Sequence, residues 1–240
     1  MTTSLLPRVE ETDPSVLTPA RAASLLAGAP WRRFAVIGDS LSAGTGGPTP
    51  GYASLGWPVR VADVLRRVHP DLAYTNTAVV GARSAEVLAH QTDPMIAFGP
   101  DLVHVSSGAN DLFVRDPDFA VVEQTLRRVF ALAAGTGAVV TTFTLGRAFV
   151  VPRIPDWTDR VRRLNDIVRA LADEHDAVLV DVADHPVNDR PDLLSADRIH
   201  FAAAGQAVLA AEVVHALAAT LGRPGSRPVH HRPQHPRRNS

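Results

Sequence analysis

Phe34-Ala35-Val36-Ile37-Gly38-Asp39-Ser40-Leu41 is the stretch on which the fold reading turns. Four apolar residues in a row, two of them β-branched, have the pattern of a short strand buried on both faces, as strands of parallel sheets are. The run breaks at Gly38 and Asp39, both turn-forming types, and the next residue carries a hydroxyl. In an open parallel sheet, ligands gather outside the carboxyl ends of the strands, which is where this serine falls.

Similar runs recur at 102–105, 138–140 and 177–180, with a weaker one at 72–77. Between them lie segments of helical period: Val61, Val64, Leu65 and Val68; Val122, Leu126, Val129 and Phe130; Val161, Leu164, Val168 and Leu171; and finally Val208, Ala211, Val214, Leu217 and Leu221. Thr18-Pro19 caps an earlier short helix that Gly28 ends. Strands alternating with helices imply βαβ units, hence an α/β fold: a three-layer α/β/α sandwich on a parallel sheet. Residues 1–17 are expected to be a flexible lead-in and 18–221 a single domain. Residues 222–240, rich in Pro, Arg, His and Ser, are expected to be a disordered tail.

Composition removes several functions. The 240 residues hold 24 Lys+Arg against 25 Asp+Glu, so no overall field favours nucleic acid or a membrane surface. Every Lys+Arg position is Arg, which excludes Schiff-base chemistry and a P-loop lysine. There is no Cys, so thiolate catalysis and Cys-based zinc sites are excluded. The first 30 residues include Glu10, Glu11 and Asp13 without an unbroken apolar stretch, and no segment reads as a membrane span. A cytoplasmic protein without membrane insertion is therefore expected.

Ser40 is answered near the other end of the chain by Asp197-Arg198-Ile199-His200. A serine hydroxyl attacks well at neutral pH when a base takes its proton and a third group fixes that base's tautomer; Ser40, His200 and Asp197 supply those types. Gly81 follows the second apolar run and Gly108-Ala109-Asn110-Asp111 the third. Singly, each has an ordinary reading: Asp39 as a turn residue, Gly81 as a turn glycine, Asn110 and Asp111 as helix caps, Asp197 and His200 as surface groups. Their joint occurrence at strand ends favours a hydrolase site.

With these blocks in order, Gly38-Asp39-Ser40-Leu41, then Asn76-Thr77-Ala78-Val79-Val80-Gly81, Gly108-Ala109-Asn110-Asp111 and Asp197-Arg198-Ile199-His200, the chain resembles the SGNH, or GDSL-type, serine hydrolase superfamily from about 33 to 221. The resemblance implies a flavodoxin-like, five-stranded parallel sheet in order 2-1-3-4-5. It implies Ser40 as nucleophile, His200 as base and Asp197 as its orienting group. It also implies an oxyanion hole from the Ser40 and Gly81 amides and the Asn110 side chain, with no cofactor. The expected substrate is a small-molecule carboxylic ester or thioester. Two other readings stand beside it: an acyltransferase using the same acyl-enzyme, and a non-catalytic flavodoxin-like binding module.

Tyr52 and Trp57 are candidates to line the cleft, although Pro58 also marks Trp57 as an ordinary helix start. Leu145 and Phe149, in the irregular apolar stretch 144–157, are candidates for an acyl-binding wall or for packing over the sheet edge. Residues 42–47, Ser-Ala-Gly-Thr-Gly-Gly, read as a flexible wall of the site rather than a phosphate loop. His104, inside an apolar run, reads as a hydrogen-bonded core residue. His230, His231 and His235 lack a rigid frame, so no metal site is expected. Arg223, Arg227, Arg232, Arg237 and Arg238 read as a solubilising extension rather than a nucleic-acid contact.

Overall fold

The computed structural model describes residues 9–222. In chain order the elements are α1 (Pro19–Leu25), β1 (Arg33–Gly38), α2 (Ser40–Ala43), α3 (Trp57–Val68), β2 (Ala73–Asn76), α4 (Ser84–His90), α5 (Thr92–Phe98), β3 (Leu102–Ser106), α6 (Phe119–Ala134), β4 (Val139–Phe143), α7 (Trp157–Glu174), β5 (Val178–Val180) and α8 (Ala203–Leu221). The strands form one sheet in order β2-β1-β3-β4-β5, every pair parallel. The chain thus reverses its direction of build between β1 and β3, and a crevice opens there at the strand ends.

Phe34, Ala35, Val36 and Ile37 are all buried, and so is β3 throughout, because helices cover both faces. Helices α1, α3 and α8 pack together on one face, and α4, α5, α6 and α7 form the other layer. Local sequence sets their ends. Thr18 accepts the Arg21 amide at the start of α1, and Asp118 accepts two amides at the start of α6. In α3 the core-facing residues Trp57, Val61, Val64 and Leu65 follow the helical period.

Three features depart from expectation. Residues 9–17 are not loose: Glu10 pairs with Arg60 and accepts the Ala53 amide, and the fully buried Asp13 carboxylate takes Arg190 and the Tyr52 hydroxyl. No local pattern signals this, because Arg190 lies 177 residues away. Residues 1–8 and 223–240, with their tail histidines and arginines, lie outside the described residues. Helices α4 and α5 had no visible period, since each spans seven residues and breaks at Gln91. Finally, α8 is long and apolar enough to cross a membrane. In this fold most of it is buried, packed on α3 and β5, which equally accounts for its apolar composition.

Candidate active site

The turn after β1 is built around Gly38. Its φ is +142°, and a Cβ there would lie 1.9 Å from the Ser106 carbonyl oxygen of β3, so a side chain would split the two strands. Gln91, at the break between α4 and α5, grips the same residue: its Oε1 accepts the Gly38 amide at 2.8 Å and its Nε2 donates to the Gly38 carbonyl at 2.9 Å. Asp39 then caps α2 by accepting the Leu41 amide at 3.0 Å, which leaves Ser40 as the first helical residue.

His200 arrives on a tight loop. Leu194 bridges Phe201 in antiparallel fashion, the Ser195 amide donates to the His200 carbonyl at 2.8 Å, and the Ala202 amide donates to Leu193 at 2.9 Å. Arg198, between Asp197 and His200, has φ +61°, a left-handed conformation uncommon for a residue with a side chain and found where surroundings over-determine the backbone. The glycine run 42–47 fastens this loop. Ser195 Oγ accepts the Gly47 amide at 2.7 Å, the Ala203 amide donates to Gly47, and a Cβ on Gly46 would sit 1.8 Å from the Phe201 carbonyl oxygen. Close backbone approach, rather than flexibility, explains these glycines.

These two turns bring Ser40 Oγ to 2.8 Å from His200 Nε2, and His200 Nδ1 to 2.7 Å from Asp197 Oδ2. With the ring neutral, Nδ1–H donates to the carboxylate and Nε2 accepts from the serine hydroxyl. Burial pushes the Asp197 carboxyl up, but the His200 ring and the Ile199 and His200 amides outweigh it and hold it below its ordinary value.

Two further groups face the same place. Gly81 has φ +82°, and its amide and that of Ser40 make no hydrogen bond within the described residues. Asn110, on the 3-10 turn Asn110–Phe113 after β3, donates from Nδ2 to the Ala82 carbonyl at 3.1 Å. Asp111 accepts both the amide and the hydroxyl of Ser84 at 2.9 Å. It therefore does act as a cap, but for α4, and in doing so it ties the Asn110 turn to the Gly81 turn.

Ser40, Gly81, Asn110 and His200 line a cavity of about 270 Å³ whose other walls are Leu41, Val80, Ala109, Phe113, Leu145, Phe149, Trp157 and Ile199. Phe113 packs on Trp157 with ring centroids 4.9 Å apart, and Trp157 Nε1 donates to the Phe149 carbonyl at 2.7 Å.

A model of the GDSL-like lipase/acylhydrolase family matches residues 36–208, which takes in the serine turn, the Gly81 and Asn110 turns and the histidine loop. The chain belongs to this family. It is an ester hydrolase. GDSL lipase Rv0518 of Mycobacterium tuberculosis (strain ATCC 25618 / H37Rv) is 29% identical over 186 residues, 75% of this chain and 78% of that protein. The crystal structure of TesA superposes with a TM-score of 0.63 at 27% identity, covering 77% of this chain and 97% of the other. Axe2, an acetylxylan esterase from Geobacillus stearothermophilus, shares the fold, with a TM-score of 0.62 at 20% identity over 78% and 94% of the two chains.

In this GDSL-like acylhydrolase the five residues read from the motifs come together, as do Leu145 and Phe149. Tyr52 and Trp57 do not. The Tyr52 hydroxyl donates to Asp13 at 2.6 Å, away from the cleft, and Trp57 is fully buried, donating to the Leu41 carbonyl at 2.9 Å and packing edge-on against His104. Sequence nearness to Ser40 misled because α3 turns the Trp57 ring into the core, while Tyr52, in the segment before α3, is drawn to the Asp13 carboxylate. His104 is a core residue: Nδ1 meets Thr141 Oγ1 at 2.9 Å, and burial holds its pKa down to about 3, so the ring is neutral. Phe113, Trp157 and Ile199 were missed as wall residues. Phe113 and Ile199 lie within three residues of Asn110 and His200, which was the available signal.

Proposed function

We propose that this acylhydrolase cleaves a carboxylic ester or thioester with a short or medium acyl chain through an acyl-Ser40 intermediate. The observation that carries the reading is the 2.8 Å contact of Ser40 Oγ with His200 Nε2, beside an apolar cavity. His200 takes the Ser40 proton as Oγ bonds to the substrate carbonyl carbon. The resulting oxyanion accepts from the Ser40 and Gly81 amides and from Asn110 Nδ2. The imidazolium, held by Asp197, protonates the departing alcohol or thiol as its bond to carbon breaks. Water then repeats the sequence: His200 takes its proton as its oxygen bonds to the acyl carbon, and the carbon–Oγ bond breaks as the proton passes to Ser40 Oγ, releasing the carboxylic acid.

Cavity size favours a modest acyl group, because drug-sized ligands occupy pockets of about 300–1,000 Å³ and this one, at about 270 Å³, falls just below that range. Aromatic and aliphatic walls favour hydrocarbon over sugar on the acyl side. Each methylene that enters should add about 0.8 kcal/mol, roughly fourfold in kcat/KM, until the cavity is full.

A fluorophosphonate should modify the enzyme once, with the adduct on the Ser40 peptide, and p-nitrophenyl esters of rising chain length should show the stepwise gain and then a plateau. Ester turnover surviving in Ser40→Ala would refute the acyl-enzyme. Adding alcohol acceptors distinguishes hydrolysis from transfer by its products.

A further inference from the structure

Asp39 stands directly before Ser40 and is 1% exposed. One oxygen accepts the Leu41 amide; the other, Oδ2, is buried with no hydrogen-bond partner among the described residues. Capping α2 requires a single acceptor, which Ser or Asn would provide without burying an ionisable group. A carboxyl in this position is a costly choice for a cap alone.

Its place ties it to the reacting pair: it accepts the Leu41 amide at 3.0 Å, and the residue bonded to it, Ser40, holds His200 Nε2 at 2.8 Å. His200 and Asp111 are the charged groups whose fields reach it. Burial, helped by the Asp111 carboxylate, pushes Asp39 up to about 7 against the pull of the Leu41 amide and of a charged His200. Such coupling is mutual: if the His200 imidazolium favours ionised Asp39, ionised Asp39 favours the imidazolium by the same free energy.

We propose that Asp39 is a positioning residue that acts through His200, its carboxylate stabilising the imidazolium formed when His200 takes the Ser40 proton, in addition to capping α2. This rests on the reading of Ser40 and His200 as the reacting pair. Asp197 orients the ring from the Nδ1 side, and Asp39 is bonded to Ser40, whose Oγ meets Nε2. Acylation therefore quickens as Asp39 ionises, around neutral pH.

The variant that separates charge from cap is Asp39→Asn, which retains an oxygen for the Leu41 amide. Three quantities are measured from about pH 4 to about pH 9: the rate of fluorophosphonate labelling at Ser40, kcat and KM for p-nitrophenyl butyrate, and urea stability. Asp39→Asn is expected to label and turn over about tenfold more slowly on the alkaline side, the effect of a partly screened charge pair, with KM unchanged. Its activity should rise less with pH than that of wild type. Asp39→Ala, which loses the cap as well, should fall further.

Stability moves the other way. An acid whose folded pKa is raised loses stability between its ordinary value and its folded one, so the advantage of Asp39→Asn over wild type should grow from about pH 4 to about pH 7 and stay constant above. Labelling and kcat equal to wild type across the range would reduce Asp39 to a cap. An Asp39→Asn protein less stable than wild type at about pH 8 would also overturn the proposal, because it denies the buried charge. Failure of wild-type Ser40 to label at all would instead remove the acyl-enzyme reading beneath it.

Discussion

Replacing Arg190 with Met tests whether the segment before α1 is fastened by a buried ion pair. The Arg190 and Asp13 side chains are 7% and 0% exposed, their closest contact is 2.7 Å, and a second bond runs at 3.0 Å. Removing the cation leaves a carboxylate enclosed with, among the described residues, only the Tyr52 hydroxyl and the Ser15 amide as donors. Breaking a buried pair in this way costs about 3–5 kcal/mol. Burial pushes Asp13 up, but Arg190, Tyr52 and the Ser15 amide outweigh it and hold the carboxyl at about 2 against an ordinary 3.8. That difference is worth about 2 kcal/mol above both values. In wild type this share is fully present above about pH 4 and fades as the pH falls through about 2. In Arg190→Met, protonation relieves the unpaired carboxylate, so the deficit should be largest at about pH 7 and smaller at about pH 3. Urea unfolding at the two pH values measures it, with Arg32→Met as a control: its pair with Asp71 is exposed on both sides and should change stability by less than about 1 kcal/mol. A loss at Arg190 below about 1 kcal/mol, or one identical at the two pH values, would refute the reasoning.

Other outcomes follow from the site itself. Asn110→Ala should lower kcat by about 10²–10³ with the fold intact, the usual cost of losing an oxyanion donor; a change below about tenfold would remove Asn110 from that role. The two turn glycines should part company. Gly38→Ala meets the Ser106 carbonyl oxygen and should abolish Ser40 labelling, whereas Gly81→Ala has open space and pays only about 1–2 kcal/mol of left-handed strain while keeping its amide. Equal labelling of both by a fluorophosphonate would contradict the close-approach argument. Phe149→Ala should shift the chain-length optimum toward longer acyl groups, whereas Tyr52→Phe should leave that optimum untouched and cost about 1 kcal/mol of stability through the lost bond to Asp13. A p-nitrophenyl ester series on both variants, with melting curves, decides between cleft and tether for each ring.

Much of this protein was legible in one dimension because its decisive signals are local. A strand buried on both faces needs consecutive apolar residues, so β1, β3, β4 and β5 announced themselves, and the periodic faces of α3, α6, α7 and α8 did likewise. The reacting types were also readable, since a serine, a glycine, an asparagine and an Asp-x-x-His each end a strand or precede a helix. The sequence could not show how closely they meet. The 2.8 Å contact spans 160 residues and depends on a Gly38–Ser106 approach, a Gln91 clamp and a glycine run pressed against the histidine loop. It could not assign Tyr52 or the buried Asp13 and Arg190 either. Local pattern fixes which residues can form a strand, a cap or a nucleophile, because those depend on near neighbours along the chain. Partners, cavity walls and the cost of a buried charge depend on what the fold brings alongside, and that is decided only when the sheet and its two helical layers close.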